Sequence, residues 1–299
     1  SPAPLSACFA AAAWDSAVSK TARSAPTGTV SPSFTLISFS VPETSEGTLF
    51  DEIGICRACR SSEQKMRINW AERERRLRQI LERAKSSSGG NYDCLVPISG
   101  GKDSAFQLHV LIKKYGMRPL ACTFSHRWFT ETGQYNLWNI LDKLGVDHVL
   151  FSPSRDLVNR IAKKSLYEIG DPCWHCHAGI GAFPLQTAVK YNIPLVVWGE
   201  NSAIEYAGRY DERRGHLLDE RWLKDYGVMH GTTAKDWVGP SLSRRDLAPY
   251  FGPSASELRR VGMSAVFLGH YFPWDPRTSL RVARAHGFQS RAEGPKTGA

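Results

Sequence analysis

No apolar run in this sequence approaches the roughly 20 residues that a membrane-crossing helix needs, so a soluble, cytoplasmic chain with no membrane partner is expected. Cysteine is too sparse for a disulfide scaffold, with seven in 299 residues, unevenly placed. Four of them form two C-x-x-C pairs, Cys56/Cys59 and Cys173/Cys176, a spacing that points to metal or redox chemistry in a reducing compartment. Cys8, Cys94 and Cys122 fall outside that pattern, and the last two lie in expected strands, where a thiol is a small hydrophobe. A secretory leader is missing too, because no basic segment precedes the Ala-rich start. Acidic residues are in deficit, 29 against 38 Lys and Arg, and the net charge of +9 suggests an anionic partner. The densest charged stretch, Arg67–Lys85, interleaves Arg with Glu72, Glu74 and Glu82, which is the pattern of a solvated helix. Nucleic acid is therefore not the expected partner.

What is present is a 42% apolar composition, enough for a sizeable core. Residues 1–40 are rich in Ser, Ala, Thr and Pro without periodicity and read as a disordered leader. The sequence does not begin with Met, so its first residue is not taken as a native start. Asn69 caps an expected helix with Glu72 three residues on, and Trp70, Leu77, Leu81 and Ala84 share one face. Strand and helix signals then alternate. Strands are expected at Cys94–Ile98, Leu120–Phe124, His148–Phe151 and Pro194–Trp198. Helices are expected at Ser104–Tyr115, Gln134–Leu144 and Asp156–Ile169, with another through Thr187 toward Tyr191. Strands that are apolar throughout, set between helices, imply a parallel sheet covered on both faces. The fold class is α/β, doubly wound and mostly parallel. Beyond Gly208 the pattern loosens, with a helix expected within Asp246–Arg260 and a strand at Val266–Leu268. The division expected is a C-x-x-C segment and helix at 41–90, a core at 91–208, and a substrate or interaction region at 209–299.

The chemistry concentrates in Ser99-Gly100-Gly101-Lys102-Asp103-Ser104, which follows a strand and opens a helix. Gly100 and Gly101 let backbone approach phosphate oxygens closely, and the N–H groups at the helix start favour an anion. Lys102 supplies positive charge, Ser99 and Ser104 supply hydroxyls, and Asp103 suits a Mg²⁺ bound to phosphates. It is not a Walker A loop, which would need Ser or Thr directly after Lys102.

This loop resembles the S-G-G-x-D-S loop of the PP-loop ATP pyrophosphatases. That resemblance implies attack of a carbonyl or carboxyl oxygen on the α-phosphate of ATP, giving an adenylate and pyrophosphate. Further segments occur in the order found in the N-acetyl sugar amidotransferase family of surface polysaccharide biosynthesis. They are Gly54-Ile55-Cys56-Arg57-Ala58-Cys59, Asn91-Tyr92-Asp93-Cys94, Gly170-Asp171-Pro172-Cys173-Trp174-His175-Cys176-His177, Val197-Trp198-Gly199-Glu200-Asn201 and Tyr271-Phe272-Pro273-Trp274-Asp275, and Glu293–Gly298 is similar as well. The sequence departs from the family at Ile37 and Ser40, where members carry another C-x-x-C. It also ends where they continue, so it reads as truncated.

The resemblance implies ATP and Mg²⁺ as cofactors and a nucleotide-sugar as substrate. Ammonia would come from a separate glutaminase through a channel subunit. Lys102 and Asp103 would be catalytic. ATP would be held by Ser99, Gly100, Gly101, Lys102, Asp103 and Ser104, with Thr123 and Phe124 near adenine and Gly199 and Glu200 at the facing strand end. His126 and Arg127 are candidates for substrate phosphates by position alone. A Zn²⁺ on Cys56, Cys59, Cys173 and Cys176 competes with sulfur-carrying and purely structural readings of those pairs. Two other functions stand beside the amidotransferase: a tRNA-modifying thiolase, and a nucleotide-binding subunit that has lost catalysis.

Overall fold

A computed structural model describes Glu52, Glu63, residues 65–199, Met229 and residues 231–291. The expectations for residues 1–40, Cys56, Cys59, Glu200 and Asn201 lie outside the described residues.

Helix α1 (Trp70–Ser87) starts where expected, with the Asn69 side chain accepting from the Glu72 N–H at 3.1 Å. The Glu72 carboxylate does not complete a capping box; it is taken by Arg75 and Arg76. The buried face is Leu77, Leu81 and Ala84. Strand β1 (Cys94–Pro97) leads through the Ser99–Gly101 turn into α2 (Lys102–His109), whose last turn widens into a π-helical segment, Val110–Lys114. Strand β2 (Pro119–Phe124) is buried at every position. Helix α3 (Glu131–Leu144) is capped by Thr130 and ended by Gly145 in the left-handed conformation. Strand β3 (His148–Phe151) precedes α4 (Arg155–Ile169), which is capped by Ser154 and ended by Gly170.

Helix α5 (Trp174–Lys190) is longer than the sequence suggests. Gly179, Gly181 and Pro184 read as breakers, yet the helix continues through them because it is buried along most of its length. Strand β4 (Leu195–Trp198) follows, then a 3₁₀ turn at Ala248–Tyr250 and α6 (Ala255–Val261), whose Ser254 and Glu257 form a reciprocal capping box. Strand β5 (Ser264–Phe267) begins two residues before the expected Val266 and ends before Leu268, which starts the short α7 (Leu268–Tyr271). Helix α8 (Pro276–Ala285) is capped by Asp275 and has Pro276 at its first position, the placement Pro favours.

The five strands form one sheet in the order β3-β2-β1-β4-β5, and every pairing is parallel. Alternate residues feed opposite faces, as the two-residue strand period requires. Cys94, Val96, Ala121, Val197 and Val266 join a core with side chains of α1, α2, α3 and α8. Leu95, Leu120, Cys122, Val196 and Ala265 meet Leu185 and Ala188 of α5 on the other face. Helices thus cover both faces, and the fold is the doubly wound α/β class. The chain works outward from β1 to β3, then crosses back to lay β4 on the other side of β1. That reversal is the topological switch point, where the loops leaving two adjacent strands part and open a crevice.

Candidate functional site

The Ser99–Ser104 loop leaves β1 at this switch point, and Gly199 leaves β4 beside it. Gly100 has φ +81, and a Cβ there would lie 2.9 Å from the Gly133 carbonyl oxygen and from the Leu137 backbone N and Cβ. The loop is therefore pressed onto the first turns of α3. Gly101 caps α2 in an extended conformation, so the orphan N–H groups of the first helical turn face the loop. Ser104 Oγ accepts from the Ser99 N–H at 3.0 Å and lies 3.2 Å from Ser99 Oγ, closing the loop into a small ring. Lys102 Nζ donates to Asp103 Oδ2 at 2.9 Å, and both side chains remain about a quarter exposed at the crevice. The ammonium and carboxylate are thus held together where a phosphate and its cation would exchange partners with them. A lone carboxylate beside an anion cradle fits Mg²⁺, which is bound by one or two carboxylates and otherwise by phosphates and water.

The facing wall includes residues that sequence reasoning missed. Gln107 is buried in α2, donates from Nε2 to the Val197 carbonyl at 2.6 Å, and sets Oε1 about 3.1 Å from where a Gly199 Cβ would be. It ties the helix that opens at the loop to the end of β4. Trp274 stands edge-on against Phe106, with ring centroids 5.2 Å apart, and its Cη2 lies 3.4 Å from that same Gly199 position. Gly199 is small because Gln107 and Trp274 occupy the space. Trp198 packs on the α5 side of the sheet and Trp274 on the α2 side, and both carry a buried indole N–H without a hydrogen-bond partner. A Gln inside an otherwise apolar helical run, Ala105-Phe106-Gln107-Leu108, was the one signal that could have flagged Gln107 in advance.

Thr123 and Phe124 end β2 at the same sheet edge, but their side chains are engaged within the protein. The Thr123 hydroxyl donates to the Ile98 carbonyl at 2.8 Å and so accepts from His148 Nε2 at 2.9 Å. This fixes the His148 tautomer and braces the residue that precedes Ser99. Phe124 is 5% exposed and is ringed by Phe151, Phe183 and Tyr250. On the next loop the His126 ring lies 4.5 Å from that of Phe129, and burial lowers its pKa. Arg127 adopts a left-handed φ of 68 and donates to Ser152 Oγ at 2.9 Å.

The Cys173–His177 segment forms the start of α5, not a loop. Cys173 is disulfide-bonded, whereas Cys176 is a free thiol that burial pushes up to about 12. Among the described residues no group of three or more His, Cys, Asp or Glu side chains could hold a metal ion, and the chemistry below runs through no zinc. His175 is fully buried with its ring edge-on to Trp128, and desolvation lowers its pKa to about 4.

His148 is likewise lowered to about 4 by burial. Its neutral form is favoured in the fold, so the unfolded chain binds its proton first as pH drops. The stability it contributes is fully present above about 6.5 and is lost as pH falls from there toward 4. Acid titration of the unfolding midpoint should show this loss. In His148→Gln, whose amide keeps a donor to Thr123 but does not titrate, the slope between those pH values should be shallower; an unchanged slope would assign the acid sensitivity elsewhere.

No family model matches this chain. An uncharacterized protein of Methanocaldococcus jannaschii is 26% identical over 108 residues, which is 36% of this chain and 38% of that protein. The match thus spans well under half of that relative's length. Three solved structures are similar at low identity. A predicted subunit of tRNA methyltransferase from M. jannaschii is 17% identical, with 64% of this chain and 75% of that chain covered and a TM-score of 0.33. For an NH3-dependent NAD synthetase from Campylobacter jejuni the values are 14%, 65%, 72% and 0.37. For an NMN synthetase from Francisella tularensis they are 15%, 77%, 99% and 0.37.

Proposed function

We propose that the crevice between β1 and β4 binds ATP and uses it to activate a carbonyl oxygen as an adenylate, with release of pyrophosphate. The observation that carries this reading is the Ser99–Ser104 loop: two glycines, a lysine and an aspartate at a strand–helix junction on the switch point of a parallel sheet. In this reading the backbone N–H groups at the start of α2 hold phosphate oxygens. Lys102 turns from Asp103 to the pyrophosphate and stabilises the charge that develops as it leaves. Asp103, freed from Lys102, would hold Mg²⁺, which when bound screens the phosphate charges and orients them. Gln107 and Trp274 keep the end of β4 in register with the loop.

The finer reading is an ATP-dependent carbon–nitrogen ligase, an amidotransferase acting on the N-acetyl group of a nucleotide-sugar. The acetamide oxygen attacks the α-phosphate, pyrophosphate leaves, and ammonia then displaces AMP to give an acetamidino group. The ordered motifs from Cys94 to Asp275 support this branch of the PP-loop enzymes, and ammonia would be delivered by a separate glutaminase and channel subunit.

The test is incubation of the protein with ATP, Mg²⁺, ammonium and a panel of N-acetylated nucleotide-sugars, followed by mass spectrometry. A product about 1 Da lighter, from O replaced by NH, is expected together with AMP and pyrophosphate. Lys102→Ala should slow pyrophosphate release by about 10²-fold or more, the scale for removing a preorganised transition-state charge. Full activity in that variant would remove Lys102 from the mechanism. Pyrophosphate release without any sugar product would leave the adenylation reading standing and overturn the sugar.

A further inference from the structure

We infer that the outer face of α8 is a docking surface for the phosphodiester backbone of a nucleic acid. The net charge of +9 has to reside somewhere, and the two arginine-rich helices treat it differently. On α1 the charges are neutralised at close range: Arg75 and Arg76 by Glu72, Arg78 and the incoming Lys114 by Glu74, and Lys85 by Glu82. On α8 they are not. From Pro276 to Arg291 the sequence contains no Asp or Glu, and Arg277, Arg281 and Arg284 are exposed and make no ion pair with any described residue.

Their spacing of four and then three residues puts all three guanidinium groups on one side of the helix. Ser279 and Ala283 are buried on the opposite side, and Ala283 joins the core over α2. The ladder therefore stands on a packed base. From Arg277 to Arg284 it runs about 10 Å at the helical rise, about three nucleotide steps along one strand. At its far end Lys113 and Lys143 lie near enough to His286 to help lower its pKa, after the larger effect of burial. The C-terminal turn of α8 thus collects further positive charge.

The presentation is rigid. Asn136 and Gln289 exchange two hydrogen bonds, Gln289 N–H to Oδ1 at 2.8 Å and Nδ2 to the Gln289 carbonyl at 2.9 Å, and Asn139 Nδ2 donates to the His286 carbonyl at 2.7 Å. Arginine forks on a fixed helix suit phosphate oxygens, which accept in pairs. An exposed face with one sign of charge is costly unless an anion is its partner. The surface is separate from the crevice and independent of which carbonyl is activated there.

The experiment measures binding of a fluorescein-labelled RNA hairpin, and of a DNA duplex of the same sequence, by anisotropy across a salt series on the full chain. Binding of either, weakening steeply with salt, is expected, with the two arms separating the sources of phosphodiester. Arg277→Gln/Arg281→Gln/Arg284→Gln should lower the slope of log K against log salt by about two, close to 0.7–0.9 for each phosphate no longer neutralised. Arg75→Gln/Arg76→Gln on α1 should leave the slope unchanged. Circular dichroism and ATP binding check that both variants fold. Equal loss from the α1 variant, no binding of either probe by the native chain at low salt, or preference for phosphatidylserine vesicles over both probes would each overturn the proposal.

Discussion

Replacing Gly179 by alanine is expected to destabilise the protein by about 1–3 kcal/mol, the range for adding a methyl group to a core with no room for it. The sign is opposite to what helix propensity alone gives, since alanine in the interior of a helix gains about 1 kcal/mol over glycine. The reason is steric. A Cβ at Gly179 would sit 2.2, 2.3 and 2.5 Å from Cε1, Cζ and Cδ1 of Phe124, along one whole edge of the ring. The ring cannot swing aside, because Phe151, Phe183 and Tyr250 stand against it with centroids 5.6–6.1 Å away. Phe124 ends β2 at the ligand edge of the sheet, so the strain is delivered where the loop after β2 begins. Thermal unfolding should show a midpoint several degrees lower. Phe124→Leu opens the space, and the double variant should be more stable than the sum of the two single losses by about 1 kcal/mol or more. Additive losses would mean that the helix and the ring do not compete for that volume.

The same close approach explains what the sequence could not say about α5. Gly179, Gly181 and Pro184 are local signals for interruption, and read locally they hid the start of the helix at Trp174. Gly179 is there because a phenylalanine of another element comes within touching distance, which is a tertiary fact. Elements with local causes were legible. Thr130 and Ser154 as N-caps, and Gly145 and Gly170 as left-handed stops, lie at or beside the ends of the expected helices. The apolar strands and their parallel class followed from their runs, and the phosphate cradle followed from a six-residue motif at a strand–helix junction. The opposite wall of the crevice was not legible. Gln107 meets Val197 across 90 residues, and Trp274 meets Phe106 across a still longer separation. His148 reaches the base of the loop only through the Thr123 hydroxyl. Each depends on the strand order, which no local pattern encodes. The charge reading had the same limit. Counting signs along Arg67–Lys85 correctly described a balanced helix, but the unbalanced one lay at the other end of the chain.

Gly100→Ala is the substitution expected to remove function most completely while leaving most of the fold intact. Two costs coincide at this position. A left-handed conformation at φ +81 costs alanine about 1–2 kcal/mol, and the new Cβ would lie 2.9 Å from the backbone of Gly133 and Leu137. Backbone at the start of α3 is hard to displace, because Thr130 fixes it twice, its Oγ1 accepting from the Gly133 N–H and its carbonyl from the Gln134 N–H. The loop is the softer partner, so the loop is what should move. A shift of about 1 Å takes Lys102 and the N–H groups of α2 away from the phosphate positions, which on the scale of misplaced catalytic groups costs about 10²-fold in rate. Gly101→Ala is the internal control for folding. Its φ is −75 and the nearest atom to a new Cβ is the rotatable Ser99 hydroxyl at 3.3 Å, so its melting temperature should stay near that of the native chain. Calorimetric titration with ATP and a pyrophosphate-release assay on Gly100→Ala should both show loss, with a drop in melting temperature smaller than that of Gly179→Ala. Native ATP affinity in Gly100→Ala would mean that the loop does not hold the nucleotide. The reading of the Ser99–Ser104 loop as a phosphate cradle would then fail at its central residue.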